Sequence, residues 1–183
     1  MKTAFPLKRL VLLAMFAAIS VALMFLIRIP MFLPFLEYDP ADITVFLCSI
    51  LLGPYWALLL SFVVSVLQGL TVSIQSGIIG IVMHFIATGC SAFVCGCIYK
   101  IKKNFVSAVF GIIAGTLIAA SLMALMNYLL VPIFSDGMTS ADVAPLLLPV
   151  FIPFNLIKFG IKGTVAALIY KPISILAVKT QLL

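Results

Sequence analysis

The 183 residues are 65% hydrophobic and 9% charged, with a mean hydropathy of +1.36, whereas an ordinary soluble domain carries roughly 25% charged residues. A water-soluble fold of this length could not hide so much apolar surface, so lipid is the expected solvent. The net charge of +6, from 11 Lys and Arg against 5 Asp and Glu, would suggest nucleic acid on a soluble protein. Here the basic residues stand at the ends of apolar runs, so they read as topology markers and no nucleic-acid partner is expected.

Apolar runs set against breakers predict about six membrane segments in one transmembrane domain over residues 1–183. The first runs from Leu7 to Ile29. Its basic start resembles a signal peptide, but no small-residue cleavage site follows, so it is expected to be retained as a span. Pro30, Pro34 and Pro40 rule out a regular helix in the next stretch. The second segment, Ala41 to Leu52, is too short to cross a ~30 Å hydrocarbon core upright. Gly53-Pro54 separates it from the third, Tyr55 to Ser73. After the turn Gln75-Ser76-Gly77, the fourth reaches Tyr99 and the cluster Lys100, Lys102 and Lys103. The fifth spans Phe105 to Val131, a polar loop is expected over Phe134 to Pro149, and the last segment runs from Phe151 to Ile169. The fold class is therefore an all-α integral membrane protein with a short second helix.

Cytoplasmic ends of spans are enriched in Lys and Arg. With both termini in the cytoplasm of a multi-pass cell-membrane protein, Lys2, Lys8, Arg9, Lys100, Lys102, Lys103, Lys171 and Lys179 fall inside, and Glu37, Asp39, Asp42, Asp136 and Asp142 fall outside. Cys48, Cys90, Cys95 and Cys97 sit in apolar segments without the spacing of a zinc site, so they are expected as buried, inert thiols. One histidine, no nucleophile elbow and no Walker loop argue against an enzyme, a metal or a cofactor, and any ATP-derived energy must come from another chain.

The remaining polar residues gather toward the outer half. Asn127 and Tyr128 lie near the end of the fifth span; Asn155, Lys158 and Lys162 share one face of the sixth by their spacing of three and four. Such a stripe could hold a polar or heteroaromatic solute, or the lysines could snorkel to headgroups. His84 could face the same cavity or bond a neighbouring helix, and Gln68 and Gln75 could bridge helices, face solvent or touch a ligand. Phe35 and Tyr38 could cover a planar ligand. On the first span, Ala14, Ala18 and Ala22, with Ala17 beside them, form a strip that admits close approach of another helix, in this chain or a partner.

Over nearly its whole length the chain resembles the substrate-binding S components of energy-coupling factor (ECF) vitamin transporters, in particular their riboflavin-specific branch. The resemblance is carried by Leu36-Glu-Tyr-Asp-Pro-Ala-Asp-Ile43, Gly53-Pro54, Asn127-Tyr-Leu-Leu-Val-Pro132 and Ile152-Pro-Phe-Asn-Leu-Ile-Lys158. It implies a six-helix fold that captures riboflavin or a related small vitamin from outside, beneath the outer loops. Partners would be a transmembrane coupling protein, two ATPase subunits and membrane lipid. It also implies ligand contact by Asn127 and Lys158, and docking of the coupling protein on Ala14, Ala18 and Ala22. The branch commonly has Lys-Asn in the third helix where this chain has Val64-Ser65, and Asp-Ile-Pro where it has Asp42-Ile43-Thr44. Gln68 or His84 are the candidates for a replacement donor, and a different vitamin, a flavin analogue or a stand-alone facilitator are the rival readings.

Overall fold

The computed structural model describes residues 7–134 and 139–179. Lys2 and Asp136 lie outside the described residues, as do the side chains of Phe35, Gln75 and Lys179. The helices are α1 (Leu7–Leu26), α2 (Ile43–Leu51), α3 (Pro54–Leu70), α4 (Gly77–Lys102), α5 (Phe105–Phe134), α6 (Ser140–Leu146) and α7 (Ile152–Lys179). A single π-helical turn, Leu147–Phe151, joins α6 to α7 into one long rod. Among the described residues, four helical stretches are long and apolar enough to cross a membrane: Leu7–Leu26, Gly77–Lys102, Phe105–Ile133 and Ser140–Leu176. With α3 and the short α2, these make the six helical segments expected.

Several boundaries differ from expectation, among them the last helix, which continues through Pro172 to Lys179 instead of ending at Ile169. The first helix ends at Leu26, and the proline-containing stretch forms an antiparallel hairpin, β1 (Ile29–Met31) and β2 (Leu33–Tyr38), pairing Ile29 with Tyr38 and Pro30 with Glu37. A ribbon of two strands consists only of edges, where a proline lacking its N–H is tolerated. Phe32 turns the hairpin with φ +63° and sets its ring edge-on to Phe154, 6.4 Å between centroids. The third helix stops at Leu70, and Ile74–Ser76 forms a 3₁₀ turn. Most of the expected loop after α5 is helical, because Thr139 caps α6: its N–H and Oγ1 both donate to Asp142 Oδ2, at 2.9 and 2.6 Å. Pro145, Pro149 and Pro153 follow four apart, each without a ladder N–H, and the π turn accommodates the lost bonds.

The nine-residue α2 is too short to span, at about 1.5 Å per residue, and it lies enclosed by α1, α3, α4 and α7. Ile43 through Ile50 are all buried, which accounts for an apolar run without a polar face. Gly53, at φ +106°, makes the reversal into α3 that a side chain would strain. Ser20 on α1 ties down the start of α2, bonding the Ala41 carbonyl at 3.1 Å and the Thr44 hydroxyl. Elsewhere small residues bring backbones together: a Cβ on Gly111 would stand 2.7 Å from the Cys95 carbonyl oxygen, and one on Gly115 2.6 Å from that of Ser91. Of the cysteines, Cys48 and Cys95 are buried, Cys90 is half-buried and Cys97 is exposed on the bundle's outer face. The expectation of four buried thiols is thus corrected at Cys97 and in part at Cys90, because the helix turn that buries Cys95 and Gly96 carries Cys97 to the outside of the bundle.

Gly111→Val should lower the thermal stability of the detergent-purified protein by about 1–3 kcal/mol, because the α4–α5 contact cannot open without losing its backbone proximity. Gly160→Ala, where an added Cβ meets nothing within 4 Å, should instead raise the melting temperature slightly in the same assay, since alanine loses less backbone freedom than glycine in a helix interior.

Candidate functional site

Between the hairpin and the facing ends of α3, α4, α5 and α7 lies a cavity of about 170 Å³. Its apolar lining comes from Leu36, Met83, Met123, Phe154 and Phe159. On the α5 and α7 wall stand Asn127, Asn155 and Lys158; on the opposite wall are Ser65 and Gln68 of α3 and His84 and Thr88 of α4. Asn127 and Asn155 are almost wholly buried. Asn155 Nδ2 donates to the Phe151 carbonyl at 2.7 Å, while its Oδ1 has no protein partner. Asn127 Nδ2, Gln68 Oε1 and Thr88 Oγ1 are likewise buried without one. Leaving such groups unmade costs about 1–3 kcal/mol each, so this wall is suited to a ligand carrying both donors and acceptors.

Lys158 Nζ donates to the Glu37 carbonyl at 3.0 Å and lies 3.2 Å from Asp39 Oδ2, joining α7 to the hairpin at the cavity edge. Glu37 is held in turn by Arg28, which lies between α1 and β1, in an ion pair. Beyond Lys158 the charges alternate into the protein. Asp39 Oδ1 lies 3.6 Å from Lys162 Nζ, and Lys162 donates to Asp42 Oδ2 at 2.5 Å. Asp42 Oδ1 lies 3.2 Å from His84 Nε2, and His84 Nδ1 is 2.7 Å from Ser65 Oγ. Burial pushes the Asp39 carboxyl upward, but Lys162, then Lys158, hold it below its ordinary range. Among the described residues no group of acids, histidines and cysteines could hold a metal ion.

The structure therefore brings Asn127, Asn155, Lys158 and His84 to one cavity and leaves Tyr38 behind its wall, where the Tyr38 ring lies 6.0 Å from Lys162 Nζ. His84 both lines the cavity and bonds a neighbouring helix, and Gln68 also lines it. Lys162 neither faces the cavity nor snorkels; it is fully buried and paired. Asp39 and Asp42, expected as outer-loop markers of topology, are inside the protein because the lysines of α7 neutralise them there. The signal for them was in the sequence: two acids three apart open an apolar run too short to span, and two lysines four apart supply the opposite charge. Nothing in the sequence marked Thr88 or Arg28 as parts of this cavity, whereas Ser65 stands where the resembled branch has its Lys-Asn pair. The strip on α1 is sorted by burial: Ala14, Ala18 and Ala22 are exposed, while Ala17 is half-buried.

Lys162→Met should destabilise the protein by about 3–5 kcal/mol, since it leaves a buried carboxylate short of its cation, whereas Asp42→Leu combined with Lys162→Met should recover most of that loss. Thermal unfolding of both variants in one detergent would show the difference.

The family model for the substrate-specific component of ECF transporters matches residues 8–170. A protein of Staphylococcus aureus (strain TCH60) named riboflavin transporter RibU is 28% identical over 170 residues, covering 90% of this chain and 89% of its own length. A protein of the same name from Streptococcus thermophilus is 34% identical over 110 residues, 55% of this chain and 51% of its own. The solved structure of the S component of a bacterial ECF transporter superposes with a TM-score of 0.75 at 28% identity, covering 91% of this chain and 95% of the other. ThiT from Listeria monocytogenes shares the fold alone, with a TM-score of 0.66 at 16% identity over 91% and 94% of the two chains. The six-segment helical fold, the polar cavity beneath the hairpin and the family match over residues 8–170 lead to one conclusion: the chain belongs to the substrate-specific components of ECF transporters.

Proposed function

We propose that this chain captures riboflavin from outside the cell for ATP-driven uptake. The observation that carries the proposal is the convergence of Asn127, Asn155 and Lys158 on one cavity with apolar and aromatic sides, the amides keeping an unpaired donor and an unpaired acceptor. A flat heteroaromatic ring with a polar rim has the matching chemistry: its faces take the apolar side chains and its carbonyl and N–H groups take the amides and the ammonium. The riboflavin transporter names of two relatives support the same ligand. At about 170 Å³ the cavity is smaller than the roughly 300–1,000 Å³ of small-molecule sites. Capture therefore goes with displacement of the hairpin, and the Arg28–Glu37 and Lys158–Glu37 contacts are the ones that yield.

In this reading the whole chain is one substrate-capturing domain with both termini in the cytoplasm. A transmembrane coupling protein docks on the exposed alanines 14, 18 and 22 of α1, and two ATPase subunits supply the energy. The captured vitamin is released inward without any chemistry by this chain.

The first test is titration of the detergent-purified, ligand-free protein with riboflavin, following flavin fluorescence. Stoichiometric quenching at nanomolar to low micromolar flavin is expected, and a protein that quenches nothing would remove riboflavin as the ligand. Asn127→Ala and Lys158→Gln should each weaken binding by about 5- to 150-fold, the equivalent of 1–3 kcal/mol for an unmade buried hydrogen bond. Ala18→Trp should leave that titration unchanged and abolish riboflavin uptake in cells that supply the coupling subunits.

A further inference from the structure

His84 is the single histidine of the chain and stands between two groups of fixed chemistry. Its Nδ1 is 2.7 Å from Ser65 Oγ, and its Nε2 lies 3.2 Å from Asp42 Oδ1. Behind them, Lys162 Nζ meets the other carboxylate oxygen of Asp42 at 2.5 Å. Ser65 and His84 line the cavity, while Asp42 and Lys162 are fully buried and do not.

A neutral imidazole carries one N–H, and its partners decide which nitrogen holds it. A lone pair on Nε2 would face a carboxylate oxygen 3.2 Å away, acceptor against acceptor, whereas an N–H there points its positive end at a negative charge. Neither atom has a hydrogen-bond partner, so Asp42 acts on the ring through its charge. Nε2 thus holds the proton and Nδ1 is left as an acceptor. Ser65 must then donate its one hydroxyl hydrogen to Nδ1, and only oxygen lone pairs remain to face the cavity.

We infer that Asp42, oriented by Lys162, fixes the tautomer of His84 and thereby makes Ser65 a hydrogen-bond acceptor toward the cavity, so that a ligand must bring a hydroxyl or N–H donor to this wall. Asp42 and Lys162 are positioning residues that act through His84, and Ser65 is the specificity-determining contact. The tautomer stands independently of the riboflavin reading; only the choice of ligand in the binding arm rests on it, and the hydroxyl-bearing side chain of riboflavin supplies such donors.

Asp42→Asn reverses the arrangement with little change of shape. Lys162 requires an acceptor, so the amide oxygen turns to Lys162 and the amide NH₂ turns to His84 Nε2. The ring proton then moves to Nδ1, which donates to Ser65, and the hydroxyl hydrogen is released toward the cavity.

The test is ¹⁵N NMR of histidine-labelled, detergent-purified protein at pH 7.5, where the single imidazole gives one pair of ring nitrogens. Wild type should show the neutral ring protonated on Nε2, and Asp42→Asn the neutral ring protonated on Nδ1. A proton on Nδ1 or on both nitrogens in wild type, or an unchanged tautomer in Asp42→Asn, overturns the inference. If Asp42→Asn does not fold, the wild-type spectrum still decides between these outcomes. In riboflavin titrations, Asp42→Asn and Ser65→Ala should each weaken binding by about tenfold, or 1.4 kcal/mol, and the double variant should lose no more than either. Full additivity would overturn the link through His84. A wild-type protein that binds no riboflavin refutes that vitamin as ligand, while the ring tautomer still supports or overturns the inference.

Discussion

The ion pair between Lys162 and Asp42 is the contact on which the rest of the arrangement depends. Both groups are fully buried, at 2.5 Å, and each would be prohibitively costly alone in a low-dielectric interior. Together they allow a polar helix start to sit inside a bundle whose surface is lipid-facing. Asp42 occupies the N-cap position of α2 without capping it through its side chain, and its charge is favoured there by the positive end of the helix dipole. The short helix is thereby pinned to α7 at one end and reversed by Gly53-Pro54 at the other.

From that pair the charges alternate outward in two directions. One branch runs through Asp39 to Lys158 and the Glu37 carbonyl, and so to the hairpin that roofs the cavity. The other runs through His84 to Ser65 on the opposite wall. The two walls of the cavity are therefore connected behind it through Lys162 and Asp42, which do not line it. Arg28 adds a third connection, from between α1 and β1 to Glu37, so the helix with the exposed alanine strip is joined to the same roof. A buried polar network of this kind specifies one arrangement because each member leaves another unpaired if it moves.

The packing divides along chemical lines. Where α4 meets α5, glycines set against carbonyl oxygens bring the backbones together and leave no space. Where α3, α4, α5 and α7 diverge beneath the hairpin, larger side chains and unpaired amides line a void. The rigidity of the first region supports the openness of the second, since a cavity lined by unsatisfied polar groups would otherwise collapse onto its own hydrogen-bond partners.

Much of this protein was legible in its residues alone. Apolar runs of spanning length and the prolines and glycines between them determined the number of the helical segments, because the requirement that backbone groups be satisfied within lipid leaves helices as the form such runs take. The spacing of Asn155 and Lys158 likewise placed them on one face. Only the tertiary structure decided which charges neutralise one another. Asp39 and Asp42 looked like solvated markers of an outer loop, since a sequence shows a charge but not the cation brought against it from 120 residues away. It also decided that a proline-rich stretch would become a hairpin roof and that Ser65 would meet His84. Local patterns determine helices because the helical hydrogen bonds are local; a buried ion pair and a cavity are made by contacts between segments, and no stretch of the chain contains them by itself.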